Sequence, residues 1–369
     1  MVDSGKSRPR TVIERREFLR AMLVAPGLIP RYRSLQSALL TGNRACRLAF
    51  QASSNAPLRE LITSNTDFFV RNHFRTPQIR SDSRSLAVDG LVSTPLKLSY
   101  ADLLLANSVH RPSTMECAGN FSGGIGVGNA VWSGVPLAEL LKQAGPKAGA
   151  TTVIFHGADS GDIEDAPAKT HFARAIPMEK ATDPSTLLAY EMNGSPLPAD
   201  HGFPLRVLVA GWYGMDSVKW LTRVELTDQP FQGYFQQKYY VALRAHERRP
   251  ITRMLVNSKF LRPSESEEIH ANSYRIQGVA WAGERKIAKV EFRAGPGESW
   301  QAATMAASSA SMTWTAWSYD WRITSPGKYV LEVRATDDEG HTQPEVRDPD
   351  RQDDYELNTP HRVTVTVRS

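Results

Sequence analysis

His361-Arg362-Val363-Thr364-Val365-Thr366-Val367 alternates valine with polar residues without a break. A period of two marks a strand with one buried face. Upstream of it, residues 329–335, 286–293 and 275–281 repeat the alternation. Turn clusters separate these runs, notably Gly295-Pro296-Gly297 and Asp337-Asp338-Glu339-Gly340. Short strands punctuated by turns after Pro250 predict an immunoglobulin-like β-sandwich. Trp300, Trp314, Trp317 and Trp321 lie within it and read as core and interface packing rather than a ligand cage.

The chain before Pro250 has another character. Residues 101–106 and 137–144 carry helical patterns, and Gly145-Pro146 stops the second. Residues 151–155 and 205–210 read as buried strands, and glycine-rich turns occupy 121–128 and 211–214. The mixture is α+β with no regular βαβ repeat. No G-x-G-x-x-G follows a strand in the context a dinucleotide fold requires. Residues 232–250, rich in Tyr, Gln and Arg, read as the connection between two domains. The expected division is a leader over 1–50, a catalytic domain over 51–245 and the sandwich over 246–369.

Composition narrows the function. The chain has 369 residues, 41% hydrophobic and 22% charged, which excludes a disordered protein. No apolar run reaches the ~20 residues that span a bilayer. Two cysteines, Cys46 and Cys117, exclude a disulfide framework and a four-cysteine metal site. The net charge of +5 is unevenly placed: residues 1–50 carry ten Lys/Arg and three Asp/Glu, a net of +7, leaving the body at −2. A nearly neutral body is a poor nucleic-acid binder. The leader holds Arg15-Arg16-Glu17-Phe18-Leu19 before a modest apolar stretch. It resembles a twin-arginine export signal, with Glu14 in place of the usual Ser or Thr, and predicts a periplasmic protein.

Chemistry concentrates near Cys117, in Thr114-Met115-Glu116-Cys117-Ala118-Gly119-Asn120. A free cysteine is usually a small buried apolar residue, but the small residues after this one let other groups approach closely. A nucleophilic thiolate would need a nearby histidine, and a metal-binding one would need open space. His73, His110, His156, His171 and His201 are scattered without ligand spacing, so a metal would need a chelate the protein does not supply.

The run Glu116-Cys117-Ala118-Gly119-Asn120 resembles one found in the sulfite oxidase family of molybdenum enzymes. So does the block from Leu188-Ala189-Tyr190-Glu191-Met192-Asn193-Gly194 through Asp200-His201-Gly202-Phe203-Pro204-Leu205-Arg206. Phe69-Val70-Arg71-Asn72-His73, Gly128-Asn129-Ala130-Val131-Trp132 and Ser217-Val218-Lys219-Trp220-Leu221 match the family in the same order. The resemblance implies a sulfite-oxidase-type molybdopterin-binding domain followed by the family's immunoglobulin-like dimerisation domain, and hence a homodimer.

It also implies a molybdenum ion held by one molybdopterin and by Cys117, the chelate supplying the soft ligands the chain lacks. Arg71, Asn72, His73, Asp159, His201, Arg206, Ser217, Val218 and Lys219 are implied cofactor contacts. Tyr190, Arg71 and Arg285 are implied to face the reacting oxygen or its anionic substrate. Taken singly, these residues have ordinary explanations: a strand-end ion pair for Arg206 or Arg71, an Asx turn for Asp159, a hairpin cation for Arg285, a core position for Tyr190.

The implied reaction is oxygen-atom transfer to sulfite, giving sulfate, with electrons passing to an external acceptor such as a c-type cytochrome. The chain has no C-x-x-C-H haem attachment of its own. Family members usually carry a substrate-binding arginine within two residues of the Cys-Ala-Gly-Asn run, where this chain has Phe121-Ser122. That departure keeps two alternatives open: another sulfur or oxo substrate, or a non-catalytic binding module.

Overall fold

The computed structural model describes residues 62–83, 85–164, 166, 169–244, 247–307 and 310–369. The leader, its paired arginines and Cys46 lie outside them. The architecture is mostly β, with a few short helices.

Two sheets build the first half. One has five strands in the order Leu96–Ser99, Ser85–Gly90, Leu221–Thr227, Thr152–Gly161 and Thr170–Pro177. Its pairs are antiparallel except Ser85–Gly90 with Leu221–Thr227, which run parallel with Val88 opposite Val224. The other joins Val109–Glu116, Val127–Pro136, Thr186–Met192 and Ser195–Pro196, with Arg206–Val209 on the free side of Thr186–Met192. The apolar run at 151–155 opens a strand that continues to Gly161. A register shift between His156 and Ser160 carries Asp159 at its polar end, where the hydrophobic pattern no longer marks a strand.

The helices follow local rules. Ser99 and Asp102 form a capping box at the start of Tyr100–Leu104. Leu137–Ala144 buries Leu137, Leu140, Leu141 and Ala144 on one face. It ends on Gly145, whose φ of 64° lets its N–H return to the Leu141 carbonyl at 3.0 Å.

The segment 232–250 is more than a connection. It forms a short helix, Tyr234–Gln237, and a hairpin of Val241–Arg244 with Glu247–Pro250. Phe235 and Tyr240 from it are buried in the first core.

The second half is two packed sheets. One runs Asn257–Arg262, Ser273–Trp281, Thr315–Arg322, Thr304–Met305. The other runs Glu268–Ile269, His361–Val367, Gly327–Asp337, Ile287–Arg293, Gln301–Ala302. Val363, Val365 and Val367 all point inward, as the alternation requires, against Leu331, Val333 and Trp317. Each such side chain taken from water contributes about 1.5–3 kcal/mol. Trp317 and Trp321 sit in this core, Trp314 packs on the first core, and Trp300 lies over Arg293 and Arg334. Val279 and Trp281 join the first core from the sandwich side, so the two halves share packed surface.

Candidate active site

Cys117 follows strand Val109–Glu116, in the loop that leads into Val127–Pro136. Its N–H donates to the Gly126 carbonyl at 2.8 Å, closing the loop at its base. Asn120 fills the interior: its N–H reaches the Cys117 carbonyl at 2.9 Å, and its Oδ1 accepts from Gly126 N–H at 2.9 Å. A side chain at 124 or 126 would collide with the Asn120 amide, which is why glycine stands at both. The thiol is partly exposed. Burial pushes its pKa up, against the Gly119 N–H and the Arg71 guanidinium, which favour the thiolate.

Cys117 opens on a cavity. Arg71, Asn72 and His73 reach it from the segment before the first strand, and Asp159 from the strand end. His201 and Arg206 approach from the 3₁₀ turn Ala199–His201 and the strand that follows it. Ser217 and Lys219 come from the loop after Gly214–Asp216. Segments far apart in the chain thus converge on one hollow.

Its electrostatics are unbalanced. Arg206 is buried and, among the described residues, bonds only to neutral groups, the His201 carbonyl at 3.0 Å and the Ser217 carbonyl at 2.9 Å among them. Its guanidinium lies over the Trp132 ring at 5.0 Å. Burial lowers its pKa to about 9. Lys219 donates to the Asp200 carbonyl at 2.7 Å and to Asn72 Oδ1. Burial, then Arg206, lowers its pKa to about 7. Asp159 is the acid of the cavity; its Oδ1 is buried without a partner among the described residues, and burial raises its pKa to about 6. Buried cations with no carboxylate hydrogen bond among the described residues, beside a carboxylate oxygen without a donor, suit an anionic ligand that also carries N–H groups.

Other implied residues sit elsewhere. Val218 is buried in the first core, between two neighbours that line the cavity. Tyr190 is not among the lining residues. Faces alternate along its strand, and Leu187 and Ala189 join Phe68 and Met115. Tyr190 falls with Leu188 in the first core, its ring edge-on to Tyr100 at 6.4 Å. Arg285 lies in a sandwich turn, ion-paired with Asp337 at 2.5 Å, and does not line the cavity. Phe121 is 63% exposed, while Ser122 donates to the Thr359 carbonyl at 2.6 Å.

The residue that sequence reasoning missed is Tyr240, which does line the cavity. Its hydroxyl meets His73 Nε2 at 2.6 Å, and the Arg174 guanidinium lies 5.5 Å from its ring centre. Burial, then Cys117, pushes its hydroxyl pKa well up. Burial, then Arg71, lowers His73 to about 4, so a neutral imidazole faces a protonated phenol near pH 7. Tyr240 has a φ of 53°, strained for a tyrosine and held by its surroundings. The available signal was the aromatic density of Tyr234, Phe235, Tyr239 and Tyr240, too high for a plain linker.

Comparison with known proteins agrees with this geometry. Residues 73–235 match the oxidoreductase molybdopterin binding domain, and residues 248–367 the Mo-co oxidoreductase dimerisation domain. The chain belongs to the sulfite oxidase family of molybdopterin oxidoreductases. It is 32% identical to mitochondrial sulfite oxidase of Homo sapiens over 323 residues, covering 78% of this chain and 58% of that protein. It is 33% identical to inducible nitrate reductase [NADH] 2 of Glycine max over 348 residues, covering 79% of this chain and 38% of that protein. The chain therefore spans well under two thirds of these relatives. The sulfane dehydrogenase SoxCD from Paracoccus pantotrophus shares the fold, with a TM-score of 0.74, 23% identity and 94% coverage of each chain. Family membership makes molybdopterin the cofactor of the first domain. Among the described residues, no three His, Cys, Asp or Glu side chains gather as metal ligands.

Proposed function

We propose that this family member oxidises sulfite to sulfate. Water supplies the oxygen, and two electrons leave singly to an external carrier. The observation that carries the reading is the opening of Cys117 onto a cavity walled by Arg206 and Lys219, cations with no carboxylate hydrogen bond among the described residues. Those two residues would hold the phosphate of molybdopterin, Asp159 would accept its N–H groups, and the Cys117 thiolate would ligate the metal. Bound as its pterin chelate, molybdenum supplies two-electron oxygen-atom transfer, chemistry that no side chain offers. Arg71 would face the anionic substrate with a planar fork of donors. The Tyr240 hydroxyl would donate to a substrate oxygen and move protons through neutral His73.

The test is sulfite-dependent reduction of cytochrome c by protein shown to contain molybdenum. Molybdenum without turnover at high sulfite favours a second reading, in which the cofactor serves another sulfur or oxo compound. The outward Phe121 and the engaged Ser122 support that reading, since neither offers a cation to sulfite. Nitrate enters it through the plant relative.

The remaining assignments are export, acceptor and assembly. Arg15-Arg16 supports twin-arginine export to the periplasm, where a c-type cytochrome would be a natural acceptor. Replacing both arginines by lysine should leave the protein in the cytoplasmic fraction. The dimerisation-domain match supports a homodimer, to be read by sedimentation.

A further inference from the structure

The loop bearing Cys117 belongs to the first domain, yet much of what holds it comes from the second. Glu116, buried beside the cysteine, accepts from Asn257 Nδ2 at 3.2 Å and from Trp281 Nε1 at 2.8 Å, both sandwich residues. Asn257 Oδ1 accepts from Gln343 Nε2 at 3.1 Å, and the same amide reaches the Thr359 carbonyl at 3.0 Å. That carbonyl accepts from Ser122 Oγ at 2.6 Å, on the other side of the cysteine. A polar chain therefore leaves the loop at 116, crosses the sandwich through 257, 343 and 359, and returns to the loop at 122.

Between its ends the grip continues. The Glu356 N–H donates to the Ala118 carbonyl at 2.9 Å, and Lys259 Nζ to the Gly124 carbonyl at 3.2 Å. His361 fills the space beside Gly123, where an added Cβ would fall 1.9 Å from its Nε2. Gly123 has a φ of 77°, so glycine is required there on both counts.

We propose that this second-domain clamp is what orients the Cys117 thiolate toward the cavity. The inference rests on the cofactor reading only in making that thiolate a metal ligand. A lone protein ligand has no companion ligands on the chain to fix its direction, so orientation must come from the surrounding shell. Buried, mutually satisfied hydrogen bonds supply that rigidity, and a one-sided break in such a chain leaves groups unpaired. Asn257, Trp281, Gln343, Thr359 and Ser122 are accordingly positioning residues. Ser122, one of the two residues standing where the family usually carries an arginine, has a structural use: it is the far anchor of the clamp.

Ser122→Ala and Trp281→Phe each remove one donor, at opposite ends; Ser122→Thr keeps the hydroxyl. All are compared with wild type as full-length protein. In molybdenum-loaded enzyme, Ser122→Ala and Trp281→Phe should shift the thiolate-to-metal absorption band and lower kcat on the order of 10-fold. KM and molybdenum content should stay near wild type at a temperature below the melting of every variant, and Ser122→Thr should restore band and kcat. In cofactor-free protein, iodoacetamide labelling of Cys117, resolved from Cys46 by peptide mapping, should quicken about 5–10-fold in the two broken variants, as one lost buried hydrogen bond allows. An unmoved band with unchanged labelling overturns the clamp. So does a loss of turnover that only follows lost molybdenum. Wild type without molybdenum would sink the cofactor reading instead, and the labelling comparison would still decide the clamp.

Discussion

The cavity wall and the sandwich treat charge in opposite ways. In the sandwich, Glu332 takes both Arg293 and Arg362, and Arg334 pairs with Glu291 at 3.0 Å and Glu345 at 3.3 Å. Arg351 forks onto Asp353 at 2.7 Å and 2.9 Å. Burial alone would raise Asp353, but Arg351 and two backbone N–H groups outweigh it and hold its pKa at about 2. In the cavity, burial acts with little opposition and pulls Lys219 down to about 7 and Arg206 to about 9. These sandwich charges are paired as the chain folds, whereas the cavity holds charge prepared for a ligand. A protein accepts such a cost where binding repays it.

The comparison breaks most severely at the metal ligand. Cys117→Ser should abolish turnover and the thiolate-to-metal absorption while circular dichroism stays native; surviving turnover would remove thiolate ligation from the account. On the sandwich side, Glu332→Ala takes the carboxylate from half-exposed Arg362 and leaves Arg293 with Glu345 alone, and should cost about 1–2 kcal/mol in urea unfolding, with molybdenum content per folded protein unchanged. Arg206→Met should do the reverse. We expect about 10–100-fold weaker cofactor retention, read by elemental analysis after dialysis. Comparable effects of both substitutions on both readouts would erase the distinction.

Acidity sharpens it further. Folded Lys219 titrates near 7 against an ordinary 10.5, so between those values the unfolded chain holds the extra proton. Cofactor-free protein should therefore gain stability as pH rises through that window, less so in Lys219→Met and less so when an anion fills the cavity. Asp159 has the opposite sign: between its ordinary 3.8 and about 6 the folded state holds the extra proton, so its contribution falls as pH rises. The smallest effect is expected from Trp300→Leu. It removes the ring over Arg293 and Arg334, at 4.2 Å and 4.3 Å, and should cost about 1 kcal/mol by thermal unfolding with no change in cofactor content.

Legibility followed the range of the forces involved. The alternation at 361–367 and the helix at 137–144 appear where they were read, because faces and caps are set by near neighbours. The strand opened by 151–155 was readable at its apolar start and not at its polar end, which carries Asp159. Motif likeness brought Arg71, His73, His201, Arg206 and Lys219 forward, and all five line one cavity. It could not separate Tyr190 from Tyr240. Both are tyrosines buried in the first core, and only the packing of the 232–250 segment brings one of them, Tyr240, to the cavity wall as well.

From the order of residues alone came the two-part organisation, the strand faces of the sandwich and a set of scattered histidines and cysteines with no protein-only metal site. Those properties depend on side-chain period, turn residues and counts of donor atoms, which need no knowledge of distant contacts. Folding in three dimensions decided which tyrosine lines the cavity, that Ser122 anchors to Thr359, and that the sandwich holds the cysteine loop. Such outcomes depend on segments more than a hundred positions apart meeting at hydrogen-bond distance, and no local pattern encodes that meeting.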